Sequence, residues 1–216
     1  MPGLFLGSIG VLAETSHLQL QSFNEAFAEA GLDWQWSESA YREMLKDAGG
    51  KARIESYAME KGADVDAEAL HARKSALFQS KLDAGVPLRA GVADAMADAR
   101  ARGWTLAFVT ATSPDNVEAV LDATGLSRDD FDLVLDKSSG LAPKPDPAVY
   151  AEALSRLSLS DRQALAVEDN PDGMAAAAAA GITCIAFPGA FHDPAAFDHA
   201  ALTLDRLYLP QDLTAA

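Results

Sequence analysis

From residue 87 to residue 187 short apolar runs alternate with helical stretches, and that alternation restricts the fold more than any other feature of the chain. Residues 91–102 read as a helix ended by Gly103, and 104–110 (WTLAFVT) as a continuous apolar strand. Helix follows over 114–124, ended by Gly125, then strand over 131–135, helix over 147–157 and strand over 164–167. A last pair, helix 172–180 and strand 182–187, repeats the pattern, and 202–207 is a candidate edge strand. Short strands joined by helices build right-handed crossovers and a parallel sheet covered on both faces. The expected class is therefore α/β, with a Rossmann-like parallel core.

The stretch between the first apolar run and residue 87 has a different period. Residues 16–30 place Leu20, Phe23, Phe27 and Ala30 on one helical face, and Gly31 ends it. Ser37 caps a second helix with Tyr41, Met44, Leu45 and Ala48 inward, stopped at Gly49-Gly50. Helices over 51–61 and from about 66 to 82 complete the set. Four helices without a strand imply a helical insertion over 16–86 in a core made of 1–15 and 87–216.

Composition excludes several function classes. A formal net charge of −15, from 32 acidic and 17 basic residues, opposes binding to nucleic acid or an anionic membrane. No apolar run is long enough to span a bilayer, and no leader pattern precedes the first strand, so a cytoplasmic location is expected. The lone Cys184 lies in ITCIAF and reads as a buried small hydrophobe. The alanines at 175–180 read as a small-faced helix for close packing.

In open parallel sheets ligands gather outside the carboxyl ends of the strands. That rule selects four segments: 7–10, 110–116, 136–144 and 168–173. At the second, Thr110 leaves two readings open, a phosphate-binding hydroxyl beside free turn N–H groups or a β-branched strand end. At the third, Lys144 stands between two prolines just before a helix, a constrained positive charge where phosphoryl charge could gather. At the fourth, Glu168 and Asp169 follow an apolar strand, and adjacent acids there suit Mg²⁺ or, for Asp169 and Asn170, a helix cap.

Residues 4–15 (LFLGSIGVLAET), with the hydroxyl, lysine and acidic pair in this order, resemble the haloacid dehalogenase-like hydrolases over essentially the whole chain. The helical insertion resembles that family's α-helical cap. FNEAFAEAGLDW and GGKAR resemble the CbbY-like sugar-phosphate phosphatases near β-phosphoglucomutase. The resemblance implies a nucleophilic aspartate, an acid/base aspartate two residues on, and Mg²⁺ held with the acidic pair. It assigns phosphate stabilisation to Thr110 and Lys144, and contacts to a phosphorylated metabolite to Lys51, Arg53, Ala111 and Asn116. Metal would fall to Glu168 and Asp169.

Aligned to that first motif, the two aspartate positions are Gly7 and Ile9, and neither side chain can act as a carboxylate. Gln19 stands where a histidine is usual in the subgroup, with His17 two residues away. Four acids and one lysine, net charge about −3, demand a divalent cation, whereas two acids and one lysine leave about −1. The expectation is a phosphatase relative impaired in catalysis, with Mg²⁺ weak or lost and phosphate or sugar-phosphate binding retained. Two alternatives remain: an active phosphatase using Ser8, Glu168 or His17, and an interaction protein with a relic cleft. Period-two alternation would turn Ser8 away from the face shared by positions 7 and 9.

Overall fold

The computed structural model describes residues 2–45 and 49–211. Backbone contacts divide the chain into two compact units, Thr15–Ala84 and the residues on either side of it.

In the sheet-containing unit, β1 (Gly3–Leu6) is followed by α1 (Ile9–Leu12), a one-turn helix that the sequence reading did not anticipate. The helical unit holds α2 (Ser16–Glu29), α3 (Glu38–Met44), α4 (Gly50–Lys61) and α5 (Ala67–Leu82). The chain then continues through α6 (Val92–Ala101), β2 (Thr105–Val109), α7 (Pro114–Thr124), β3 (Leu133–Leu135) and α8 (Ala148–Leu157). It ends with β4 (Ala164–Glu168), α9 (Pro171–Ala179), β5 (Thr183–Ala186) and β6 (Leu202–Thr203).

The described strands form one parallel sheet in the order β3-β2-β1-β4-β5-β6. Side chains alternate across it. Leu4, Leu6, Leu106, Phe108, Leu165 and Val167 join a cluster with α6 and α7. Phe5, Ala107, Val109, Ala164, Ala166 and Cys184 face α8 and α9 instead. On that second side the sheet presents alanines, and Ala176 and Ala177 of α9 are fully buried in the same cluster. Small side chains on both surfaces let helix and sheet approach closely, which explains the alanine run.

β1 lies between β2 and β4, so the chain crosses over in opposite directions on either side of it. This is the switch point, where carboxyl ends diverge and leave a crevice. Gly7, Thr110 and Asp169 each follow directly on one of these three strands.

Several boundaries differ from the sequence reading. Phe131 does not start β3; it closes a 3-10 turn and stacks on Phe108 at 5.5 Å between ring centroids. Of the candidate edge strand only Leu202–Thr203 pairs, and Leu207 instead donates its N–H to Ala90.

The helical unit is organised around aromatics. Phe23, Phe27, Trp34, Trp36, Tyr41 and Tyr57 form a chain of ring contacts, with Phe23–Trp36 and Phe27–Trp36 at 4.8 Å. Asn24 fixes Trp36 by a reciprocal pair, its amide donating to the Trp36 carbonyl at 2.9 Å and its carbonyl accepting the Trp36 N–H at 2.8 Å. Ala30 is exposed rather than inward, because α2 ends at Glu29. Tyr41 is buried while Met44 and Leu45 are half-buried; Ala48 lies outside the described residues. Gly50 begins α4 instead of only stopping the helix before it.

Candidate active site

At the end of β1 the Gly7 N–H continues the ladder to the Val167 carbonyl at 2.9 Å. The chain then turns. Ser8 becomes the N-cap of α1, accepting the Val11 N–H at 3.2 Å and donating its hydroxyl to Asp169 Oδ1 at 2.6 Å. Strand alternation ends at Leu6, so the rule that turned Ser8 away from the face shared by positions 7 and 9 does not reach it.

Lys144 binds the strand ends together. Its ammonium donates to the Gly7 carbonyl at 2.5 Å, to the Val109 carbonyl at 2.9 Å and to Glu168 Oε1 at 2.5 Å. It also lies 3.4 Å from the Tyr150 hydroxyl and 4.7 Å over the Tyr150 ring. Three close acceptors take the three N–H groups of the amine. Lys144 is 8% exposed and Glu168 0%, so this is a buried ion pair.

Glu168 accepts a second hydrogen bond at Oε1, from the Tyr150 hydroxyl at 2.5 Å, while Oε2 is buried without a partner. Burial raises the Glu168 pKa, and Lys144 opposes that shift. Burial, with Glu168 beside it, pushes the Tyr150 phenol well above its ordinary value. The carboxylate fits here because two glycines flank it. A Cβ on Gly7 would lie 2.1 Å from Glu168 Oε1 and 2.5 Å from the Tyr150 hydroxyl, and one on Gly173 2.2 Å from Glu168 Oε2. Glu168 and Tyr150 thus fill the space into which a side chain at position 7 would project.

Asp169 sits differently. Its Oδ1 accepts from Ser8 and, at 2.8 Å, from the Asn170 amide, while a Cβ on Gly10 would lie 1.9 Å from Oδ2. Asn170 is the residue that caps α9, accepting the Gly173 N–H at 2.9 Å. Thr110 is buried, and its hydroxyl oxygen accepts the Thr112 N–H at 3.1 Å. Ala111 is exposed and Asn116 is half-buried in the first turns of α7.

Mg²⁺, which the family's chemistry generally uses, takes near-octahedral oxygen ligation and sheds water reluctantly. Glu168 is enclosed by Lys144, Tyr150 and the two glycines, with Oε2 buried among them and without a donor, and Asp169 has its Oδ1 taken by Ser8 and Asn170. Among the described residues no group of three or more His, Cys, Asp or Glu side chains could hold a metal. As arranged, these residues do not fit the ion.

In the helical unit, Lys51 pairs with Glu68 at 2.7 Å. Arg53 donates Nε–H to the Met44 carbonyl at 3.0 Å and lies 5.3 Å over the Tyr41 ring. His17 approaches Glu38 at 3.4 Å.

Sequence reasoning assigned no role to two residues. Tyr150 was visible only as the tyrosine of KPDPAVY, one turn into α8. Arg89, in a loop that reads as solvent-facing, donates to the carbonyls of Gly10 and Phe187 at 2.8 Å and of Pro188 at 2.7 Å, with its guanidinium 3.5 Å over the Phe187 ring. It ties the α1 segment to the loop after β5. Arg89→Met is expected to cost about 1.5–3 kcal/mol, the worth of a charged hydrogen-bonding group, seen as a lower denaturant midpoint. An unchanged midpoint would show that these carbonyls find other donors.

The strand order, with a lysine, an acidic pair and a hydroxyl at the switch point, defines a member of the haloacid dehalogenase-like hydrolase family. A model of that family matches residues 10–187, and the chain belongs to it. More closely, it belongs to the CbbY-like subgroup. It is 38% identical to the plasmid-encoded protein CbbY of Cupriavidus necator, across 98% of this chain and 88% of that protein. Crystal structures of CbbY from Rhodobacter sphaeroides superpose with TM-scores of 0.87 for a mutant in complex with xylulose-(1,5)bisphosphate and 0.86 for the complex with phosphate. Both are 36% identical to this chain and cover 95% of each partner.

Proposed function

We propose that this chain is a CbbY-like protein that has lost covalent phosphoryl transfer while keeping a pocket for phosphate or a phosphorylated sugar. The observation that carries the reading is the occupied space at Gly7. Glu168 and Tyr150 stand where a nucleophilic side chain would project, and Ile9 has no proton to donate to a leaving group. Losing a covalent nucleophile alone can cost about a million-fold in rate. In this reading the helical unit is a cap domain with Lys51 and Arg53 as its candidate ligand contacts, and Thr110, Ala111 and Asn116 are those of the sheet-containing unit. Lys144 contributes charge at a distance, since its N–H groups are spent. The ligand class is supported by the xylulose-(1,5)bisphosphate and phosphate complexes of the Rhodobacter protein.

Equilibrium titration with inorganic phosphate and a panel of sugar mono- and bisphosphates tests the reading. At least one ligand is expected to bind saturably, and Thr110→Val or Arg53→Met to weaken it about 10–100-fold, the worth of a charged hydrogen bond. Failure of every ligand to bind would overturn it and favour an interaction protein with a relic cleft.

A second reading, an active hydrolase, rests on Ser8, whose hydroxyl hydrogen is already directed at a carboxylate, Asp169, at 2.6 Å. Attack by Ser8 Oγ on phosphorus would pass that proton to Asp169 and leave a phosphoserine. Ile9 counts against it, because the departing alkoxide would have to take its proton from water.

A further inference from the structure

In the helical unit the end of α2 and the start of α5 pack side by side and leave a trough of about 540 Å³. Clefts that hold ligands commonly measure about 300–1,000 Å³. The floor is Ala26, Ala30, Leu32, Val65, Ala69 and Leu70, all within Thr15–Ala84. Positions 26 and 30 on α2, and 66, 69, 70 and 73 along α5, recur at helical spacing, so each helix turns one stripe toward the trough. Ala26 and Leu70 are buried, Leu32 and Val65 half-buried, and Ala30 and Ala69 exposed. Methyl groups at 26, 30 and 69 keep the trough open; longer side chains there would fill it. From Asp66 to Arg73 the chain advances about 10 Å, close to two helical turns.

The rim is charged, and mostly of one sign. Among the lining residues Glu29, Asp64 and Asp66 stand against Arg73. Arg73 is already committed: its Nε–H donates to Glu29 Oε2 and its Nη2–H to Oε1 at 2.7 Å. Asp66 caps α5, with Oδ1 accepting the Ala69 N–H at 2.9 Å. Lys51, which Asp66 attracts, is held by Glu68 at 2.7 Å. Asp64 is exposed, with no hydrogen bond or ion pair among the described residues. α2 also ends here with no basic residue in its last turn, so the negative end of its dipole adds to the field. With Glu29 offset by Arg73, the rim keeps the charge of two aspartates.

An apolar floor beneath carboxylates complements a segment that carries aliphatic side chains beside lysine or arginine. A second copy of this chain fits poorly, since each copy carries −15 and like charges repel. A small amine would reach the aspartates and leave the floor wet.

We propose that this trough is a docking surface for a basic amphipathic helix of a partner protein. Aliphatic side chains from two successive turns lie on the alanines, and lysine or arginine faces Asp64 and Asp66. The proposal is independent of the function proposed above, because phosphate and the strand-end residues play no part in it.

The test is fluorescence anisotropy of a labelled helical peptide titrated with the whole chain. The peptide carries leucines at i, i+3, i+4 and i+7 with lysines beside them, and its control has the same composition with the leucines scattered. The ordered peptide is expected to bind saturably, about tenfold or more tighter than the control. Ala30→Gln/Ala69→Gln lengthens two exposed side chains without changing charge, and is expected to weaken binding about tenfold or more while the helical signal and the denaturant midpoint hold. Asp64→Asn is expected to weaken it about two- to fivefold and to lessen its salt dependence. Asp122→Asn, the same charge change at an exposed site on α7, is expected to leave it unaltered. No binding, equal binding of the two peptides, equal weakening by Asp64→Asn and Asp122→Asn, or binding that survives the double alanine variant would overturn the proposal. So would a dimer in sedimentation that the double alanine variant dissociates, which gives the trough to a second copy. Butylamine binding as tightly as the peptide would give it to a small amine and overturn the proposal equally.

Discussion

Lys144→Met and Glu168→Leu are each expected to destabilise the chain by about 3–5 kcal/mol, and the double variant by far less than their sum. The pair is buried, and either single change leaves the other charge in a nonpolar surrounding with part of its hydrogen bonding gone. Lys144→Met leaves Glu168 with the Tyr150 hydroxyl alone, and Glu168→Leu leaves the ammonium with two carbonyls. Removing both charges together removes both desolvation penalties, and a well-packed apolar pair can match a buried ion pair or exceed it. Denaturant melts of the four proteins give the coupling energy directly. Additive effects would mean that Lys144 and Glu168 do not act as a unit, and the account of a site filled by its own charges would lose its basis. The pH dependence has a definite sign. Burial raises the Glu168 pKa in the folded state. Its contribution to stability is therefore fully present below the unfolded carboxyl pKa and is lost as pH rises through the folded value.

Much of the fold was legible because parallel sheets write themselves as apolar runs between helices. β2 and β4 were legible in this way, and so was α7, with Pro114 in its first turn and Gly125 at its end. What escaped depended on where the chain stops obeying a period. The strand ends at Leu6, α1 begins two residues later, and Ser8 turns toward Asp169 rather than away. Phe131 continued an apolar pattern but belongs to a turn. At the site, Lys144, Glu168 and Asp169 could be named from their setting at strand ends. The absence of a side chain at position 7 could also be read, but not what fills its place. Tyr150 meets Glu168 across 18 positions of sequence, and Arg89 meets Gly10 across 79. No local pattern signals such pairs; they exist only once the strands are side by side.

The proposed function ties the absence of phosphoryl transfer to positions 7 and 9, where Gly7 and Ile9 supply no carboxylate. Restoring Gly7→Asp alone must displace Glu168, because a Cβ there would lie 2.1 Å from its carboxylate oxygen. Ile9→Asp returns the missing proton donor. The expected effect is large, since nucleophile and acid act on the same step and removing such groups can cost about a million-fold. The decisive measurement is phosphate release from sugar mono- and bisphosphates in the presence of Mg²⁺, for the natural chain beside the Gly7→Asp/Ile9→Asp variant. Turnover is expected from the double variant, and none above the uncatalysed rate from the natural chain. Mg²⁺-dependent turnover by the natural chain that disappears on Lys144→Ala would contradict it.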